Sequence, residues 1–306
     1  MSRRILVTGA AGFMGGRVAR WLSSRPDTEV IAVDVADGPA AGDPVRWVRR
    51  DVAEGLADLL DGVDAVVHHA FVLRPPRDLP AAARVNVTAT ARLAEDAAAA
   101  GVRRIVYPSS TTVYGAWPGT GFHTEDEVPR PVPGFTYSEH KVAAERLLFD
   151  AAGRGGSEVV VLRGCVVTGP GSDNFILSSL ALPFFPVPRG ANPDMQFLHV
   201  DDYVSAVAAA LDAAATGVFN VAGAGTIPLR TLAAVLGTRV VVVPENVLRP
   251  VVEWSWRLRL QTRSPAPGLA FISHPWLSSI DKAADELGWC PARSSREAVA
   301  AWAAER

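Results

Sequence analysis

Eight residues close to the start of the chain restrict its fold more than any other stretch. Thr8-Gly9-Ala10-Ala11-Gly12-Phe13-Met14-Gly15 comes directly after a strand-like apolar run, Ile5-Leu6-Val7, and opens a helix-like segment from Gly15 to Ser23. The three glycines each have a physical use at that junction. Gly9 permits a tight turn, Gly12 lets backbone amides approach a pyrophosphate, and Gly15 lets the helix pack closely on the strand. Ala11, Phe13 and Met14 complete a loop that ends at a helix N-terminus, where free N–H groups and the helix dipole favour an anion. An ordinary strand-to-helix turn can carry similar glycines, so the reading depends on the rest of the chain.

Beyond Ser23 strands and helices alternate. Val30–Val33, Trp47–Val52, Ala65–Val67, Ile105–Tyr107 and Val159–Leu162 read as strands. They are apolar throughout, as strands covered on both faces by crossover helices are. Helical stretches lie between them, notably Ala81 to Ala100, stopped by Gly101, and Ser138 to Ala152, stopped by Gly153. The expected fold class is therefore α/β, a doubly wound parallel sheet of Rossmann type. Glycines and prolines break the rhythm beyond Gly169. Phe197-Leu198-His199-Val200, a helix from Asp201 to Ala214 and a strand from Gly217 to Val221 then resume it. Residues 1–168 and 197–222 are expected to form a dinucleotide-binding domain. Residues 169–196 and 223–306 are expected to form a smaller, interleaved substrate domain, with the substrate in the cleft between the two. Within it, a helix is expected near Val247 to Leu260.

Composition removes several other classes. Of 306 residues 49% are hydrophobic, enough for a large core. Thirty basic against 32 acidic residues leave a net charge of −2 with no sustained basic run, so no nucleic-acid partner is expected. Cys165 and Cys290 stand far apart without ligand spacing, which excludes a disulfide scaffold and leaves no expected metal site. His68, His69 and His140 read as packing or surface residues. The apolar run before Thr8 is too short for a secretory signal, and prolines interrupt the zone from Phe175 to Pro188. No membrane partner is expected, and the expected location is cytoplasmic.

Asp34 sharpens the glycine reading. It ends the second strand, 19 positions after Gly15, where a carboxylate can accept hydrogen bonds from the adenosine ribose hydroxyls. The same charge repels a 2′-phosphate, and no arginine or lysine follows before Arg46. NAD is therefore expected over NADP. Asp51 and Val52, after the third strand, are placed to meet the adenine edge, although a structural turn aspartate would look the same.

Tyr137-Ser138-Glu139-His140-Lys141 puts a phenol and an ammonium on one helical face. With an ordinary pKa of about 10, tyrosine is a poor base at neutral pH. A neighbouring cation is expected to stabilise the phenolate and lower that value, and the positive nicotinamide to add to the effect. Ser109-Ser110-Thr111-Thr112-Val113-Tyr114-Gly115, just after the fifth strand, supplies a third group. In an open sheet that position faces the ligand crevice, where a hydroxyl can bond the substrate oxygen whose charge changes.

With these motifs together the chain is similar, almost end to end, to the extended short-chain dehydrogenase/reductases of the NAD-dependent epimerase/dehydratase type. TGAAGFMG resembles the family's TGxxGxxG, and DAVVHHA, ending at Ala70, its fourth-strand segment. Val85-Asn86-Val87 resembles the asparagine segment at the start of a core helix. STTVYG and YSEHK are similar to its Ser/Thr and Tyr/Lys motifs. LRGCVVTGPG, FLHVDD and VFNVAG resemble the segments leading into and out of the substrate domain, and ELGWCP the C-terminal signature. The resemblance implies that Ala70 and Asn86 lie at the cofactor, as do Tyr137 and Lys141. It implies Ser110 as the catalytic Ser/Thr, Tyr137 as acid/base and Lys141 as its partner. It further implies a homodimer paired through the helices Ala81–Ala100 and Ser138–Ala152.

Two departures bear on the reaction. The family's sugar-nucleotide dehydratases resemble one another in carrying Asp-Glu after the catalytic Thr; this chain has Thr111 and Thr112, which disfavours elimination of water. Many of its sugar-nucleotide epimerases have an arginine before the HVxD segment that clamps the diphosphate. Met195 stands there, with Gln196 next, leaving Arg163, Arg189 and Arg249 as candidate substitutes. The segment Phe175-Ile176-Leu177 through Phe184-Phe185 is apolar, which suits a less charged substrate or simply packs the smaller domain. The expected function is an NAD-dependent epimerase acting on a hydroxyl-bearing carbon of a nucleotide-linked sugar, through a transient ketone. One alternative is an NAD-dependent dehydrogenase or ketoreductase on a less charged, natural-product-like substrate. Another is a dinucleotide-sensing regulator, which the intact Ser110, Tyr137 and Lys141 disfavour.

Overall fold

The computed structural model describes residues 2–38, 45–74, 77–172 and 175–304, without the side chain of Phe175. Strands β1 (Arg3–Thr8), β2 (Thr28–Asp34), β3 (Arg46–Arg49), β4 (Ala65–His68) and β5 (Arg104–Ser110) join Glu158–Gly164 and Gly217–Val221 in one seven-stranded sheet among the described residues. Its order is Gly217–Val221, Glu158–Gly164, β5, β4, β1, β2, β3, and every pairing is parallel. The chain runs outward from β1 to β3, then returns to place β4 on the other side of β1. That reversal opens a crevice at the carboxyl ends of β1 and β4.

Strand periodicity divides the core. Ile5 and Val7 point to one face, where Val18 and Leu22 of helix α1 (Phe13–Ser23) meet Val207 and Phe219. Leu6 points to the other face, among Val66, Leu93, Ile105, Leu148 and Val161. Because both faces are covered, the strands need apolar residues at every position.

Two elements differ from their sequence-based expectation. The third strand stops at Arg49 rather than reaching Val52, because the Asp51 carboxylate accepts from the Ala53 amide at 2.9 Å and caps a short 3₁₀ turn, Val52–Glu54. The helix expected from 81 to 100 is not continuous. Residues Arg84–Thr88 form a π turn between Leu79–Ala83 and Ala89–Ala99. The wide turn carries the buried Asn86, whose Oδ1 accepts from the Val72 amide at 2.6 Å and whose Nδ2 donates to the Val72 carbonyl at 3.3 Å. Gly101, with φ of +73°, does end this stretch.

A third core lies beside the sheet. It gathers Leu177, Leu180, Met195, Ile227, Leu229, Phe271, Trp276, Val299 and Trp302, together with Ala116, Val132, Val166 and Phe197 from segments expected in the other unit. Conversely Ala283, Leu287 and Trp289 of the ELGWCP region pack in the core under the sheet, where the Trp289 indole donates to Ser205 Oγ at 2.9 Å.

Candidate active site

The glycine loop lies at the end of β1. Gly9 has φ of +65°, and a Cβ there would stand 2.7 Å from the Ala70 amide nitrogen at the end of β4. A Cβ on Gly15 would stand 2.2 Å from the Gly9 carbonyl oxygen, so only glycine lets α1 sit this close to the loop. Gly12 is the N-cap of α1 and offers no side-chain acceptor, and no acid occupies the first turn. The helix N-terminus thus keeps free N–H groups for an anion, the demand a pyrophosphate makes. Phe13 and Met14 open the helix: the Arg17 guanidinium stacks over the Phe13 ring, and Met14 packs on the core below.

Asp34 closes the loop from the side. Its Oδ2 accepts from the Ala11 amide and its Oδ1 from the Ala36 amide, both at 3.0 Å. Each carboxylate oxygen keeps a further lone pair for a ribose hydroxyl. Asp51 is engaged elsewhere, capping Ala53 and accepting from Arg84 at 2.8 Å; the backbone hydrogen bond and the arginine hold its carboxyl below the usual range. The Val52 side chain is part of the core. The Ala70 amide donates to Thr8 Oγ1 at 3.1 Å, and Asn86 ties the segment after β4 to His140 at 3.2 Å. The residues present fit a dinucleotide: a glycine cradle, an uncapped helix N-terminus and a carboxylate at the ribose position.

Ser110, Tyr137 and Lys141 converge on the crevice from β5 and the helix Thr136–Gly153. Ser110 lies beside Tyr137 and favours the ionised form of its phenol. Ser110 also accepts from the Thr112 hydroxyl at 3.0 Å and from the Thr112 amide at 3.2 Å. Lys141 Nζ donates to the Pro108 carbonyl at 2.6 Å and sits 3.8 Å from the centre of the Phe71 ring, whose edge meets Tyr137.

The expected depression of the tyrosine is absent from this arrangement. Burial pushes the Tyr137 phenol up to about 12, opposed by the neighbouring Ser110. Lys141 lies 5.9 Å from the Tyr137 ring centre and is itself only 5% exposed. Burial pushes its ammonium down to about 7 against the pull of Glu145. Desolvation therefore exceeds the lysine's influence on the phenol.

Three residues that the sequence reading did not assign to the site, Phe71, Glu145 and Tyr114, complete it. Phe71 supplies the ring beneath Lys141. Glu145, one turn beyond Lys141, accepts from Ser109 and from Arg163 at 2.6 Å. Arg163 in turn donates to the Tyr114 hydroxyl at 2.9 Å, which donates to Asn220 at 2.8 Å. The continuation Tyr137-x-x-x-Lys141-x-x-x-Glu145 was the available signal for Glu145. Arg163 is 3% exposed and committed to this network, so it does not replace a diphosphate clamp. His68 bridges Thr8 and Thr90 at 2.7 and 3.0 Å, while His69 packs on Tyr203; burial holds both imidazoles near 3 and so neutral.

Beside Ser110 opens a cavity of about 290 Å³. Thr112 and Phe135 form its inner wall, and Phe135 also touches Tyr137. Leu180, Met195, Leu269, Phe271, Ile272 and Trp276 contribute further apolar wall. Ile176, Leu182 and Phe185 of the apolar segment read from sequence also line it, while Leu177 packs in the third core. The Phe175 side chain lies outside the described residues. Neither Arg189 nor Arg249 lines the cavity; Arg249 pairs with Glu245 at 2.9 Å. Gln196 exchanges hydrogen bonds with the Ser278 backbone at 2.8 and 3.2 Å.

A glycine-cradled crevice at a sheet reversal, with a serine, tyrosine and lysine meeting over it, defines a dinucleotide-dependent enzyme of the extended short-chain dehydrogenase/reductase class. The model of the NAD dependent epimerase/dehydratase family matches residues 5–222, and the chain belongs to that family. It is an NAD-dependent enzyme. A 3-diazoavenalumate denitrifying reductase of a Streptomyces species is 34% identical over 239 residues, 71% of this chain and 75% of that protein. A Sinorhizobium fredii protein, y4nG, is 26% identical over 307 residues, covering 95% of this chain and 76% of its own length. Among solved structures, MoeE5 in complex with UDP-glucuronic acid and NAD is similar with a TM-score of 0.79 at 28% identity, covering 98% of both chains.

Proposed function

We propose that the protein is an NAD-dependent dehydrogenase or reductase acting at a hydroxyl- or carbonyl-bearing carbon of a largely apolar substrate. The apolar cavity beside Ser110 and Tyr137 carries this reading. Its polar side chains are mostly committed to nearby backbone. Ser255 donates to Val252, Ser264 to Pro265 and Gln261 to Ser264, at 2.8, 3.0 and 2.7 Å. Arg263 is the one cation lining it among the described residues. A sugar diphosphate would bury two charges and many hydroxyls against such walls, at about 1–3 kcal/mol for each group left unpaired. The 34%-identical reductase supports the same direction.

In this reading Gly9, Ala11, Gly12, Phe13, Met14 and Gly15 hold the pyrophosphate of NAD, and Asp34 holds the adenosine ribose. Asp51, Val52 and Ala70 flank the adenine side. Asn86 positions the segment after β4, and Tyr137 and Lys141 reach the nicotinamide end. The bound nicotinamide supplies or accepts the hydride. Ser110 Oγ bonds the substrate oxygen. Tyr137 Oη gives its proton to a carbonyl oxygen under reduction, or takes one from a hydroxyl under oxidation. A phenol near 12 holds its proton at neutral pH and is poised for the first role. Thr111 and Thr112 offer no acid and base for eliminating water. Residues 169–196 and 223–306 act as the substrate domain, and two copies pair through the outer faces of Ala89–Ala99 and Thr136–Gly153. A location in the cytoplasm belongs to the same reading.

A second reading, the epimerase on a nucleotide-linked sugar, is favoured by the likeness to MoeE5. Absorbance of NADH separates the two. Aryl and alicyclic alcohols or ketones are expected to change it stoichiometrically, with no turnover of UDP-, GDP- or dTDP-sugars. Epimerised sugar with tightly retained NAD(H) would overturn the proposal.

A further inference from the structure

The helix Glu245–Arg257 presents two adjacent apolar rows. Leu248 is buried, and Val252 and Ser255 line the cavity. One helical step round, about 100° away, lie Val247, Val251, Trp254 and Leu258, spaced i, i+4, i+7 and i+11. All four are exposed, by 49, 58, 60 and 61%. Leu260, just beyond, is 76% exposed. The outer stripe therefore lies beside the row that lines the cavity. No helix among the described residues is long and apolar enough to cross a membrane, so an apolar surface here lies on something rather than through it.

Charge identifies the covering. The segment 245–263 carries four arginines against two glutamates. Arg249 and Arg257 pair with Glu245 and Glu253, at 2.9 and 2.7 Å, and Arg257 also lies 5.9 Å from the centre of the Trp254 ring. The guanidinium groups of Arg259 and Arg263, past the end of the stripe, have no partner among the described residues. Arg77 stacks at 3.5 Å over Trp256, with its guanidinium committed to the Trp256 and Gln261 carbonyls at 2.6 and 2.9 Å. A second copy of the chain seated on this stripe would bring these free cations together. Phosphate headgroups complement them, and acyl chains accept tryptophan, valine and leucine.

We propose that this stripe docks the protein on an anionic lipid bilayer, with Trp254 and Leu258 in the interface and Arg259 and Arg263 at the headgroups. The cavity wall at Gln261 and Arg263 then lies where apolar molecules concentrate. That consequence rests on the apolar-substrate reading; the docking itself does not.

Flotation without any substrate tests it, using phosphatidylcholine vesicles with or without about a third phosphatidylglycerol. The wild-type chain is expected to float with the anionic vesicles at least about tenfold more than with neutral ones, and less at high salt. Val251→Glu/Leu258→Glu and, separately, Trp254→Gln are expected to lower that binding about tenfold while NAD affinity stays unchanged. Arg259→Glu should bring anionic binding down toward the neutral level. A wild-type chain that stays in the aqueous phase overturns the proposal. So does stripe variants floating as the wild type does, or a stripe variant whose mass by light scattering halves, which would identify a second copy as the covering.

Discussion

Behind Tyr137 a chain of buried polar side chains is bonded one to the next, whereas across Phe135 and Thr112 the cavity holds several of its polar groups to nearby backbone. The first region links Ser109, Glu145, Arg163, Tyr114 and Asn220, each member fixing the next. Ser110 is held separately by Thr112, and the Lys141 ammonium by the Pro108 carbonyl, before any ligand arrives. The second region is lined mostly by apolar side chains. On the proposed function a rigid catalytic edge meets an apolar substrate wall, and the two should respond to substitution independently.

The largest expected effect tests the catalytic edge. Tyr137→Phe removes a hydroxyl and leaves the ring packing intact, so turnover should fall by roughly 10²–10⁴-fold. NAD affinity by calorimetry should stay within a few-fold, because the glycine loop is untouched. Near-full activity in this variant would remove the assignment of Tyr137 as acid/base.

The cavity side is tested by Ile272→Asp, which places a carboxylate in a half-buried wall. Losing the isoleucine contact should raise KM for an apolar substrate roughly 10–100-fold. The kcat pH profile and NAD affinity should not move. A parallel loss of NAD binding would show that the two regions are not separable.

A smaller effect comes from Lys141. Its ammonium titrates near 7 when folded, against an ordinary value near 10.5, so between those values the unfolded chain binds more protons. Its contribution therefore makes stability rise with pH through that window, by about 2 kcal/mol from pH 7 to 9, and penalises folding below pH 7. Denaturant midpoints across this range should show the rise in the wild-type chain and lose it in Lys141→Met. The same slope in both would refute the buried-ammonium account.

The smallest is cofactor choice. Asp34 should hold NAD at least about tenfold more tightly than NADP, about 1.4 kcal/mol. Asp34→Ala should erase the difference, and equal affinities in the wild-type chain would show that the carboxylate does not discriminate.

Distance along the chain governs how much of the site is legible without the fold. The glycine loop, Asp34 and Tyr137 with Lys141 are set by spacings of a few residues at strand ends or along one helix turn, so their geometry is implied by their order. The family resemblance added Ser110, Ala70 and Asn86. Sequence placed Arg163 among candidate diphosphate ligands, yet its partners Glu145 and Tyr114 lie 18 and 49 residues away, and only folding shows that it is buried against them. A helix near Val247 to Leu260 was expected from the sequence. Which of its apolar rows meets the cavity, and which faces outward, was not legible there.

The sequence by itself determined the parallel sheet, the dinucleotide cradle and the tyrosine–lysine face, because backbone periods of two and 3.6 turn local order into direction. Only the tertiary structure decided the rest. Burial overrode the pairing that would lower the Tyr137 phenol, since desolvation depends on everything packed around a group rather than on its neighbours in sequence. The cavity, too, is assembled from residues between Thr112 and Trp276. Its largely apolar lining becomes visible only when those distant side chains meet on one surface.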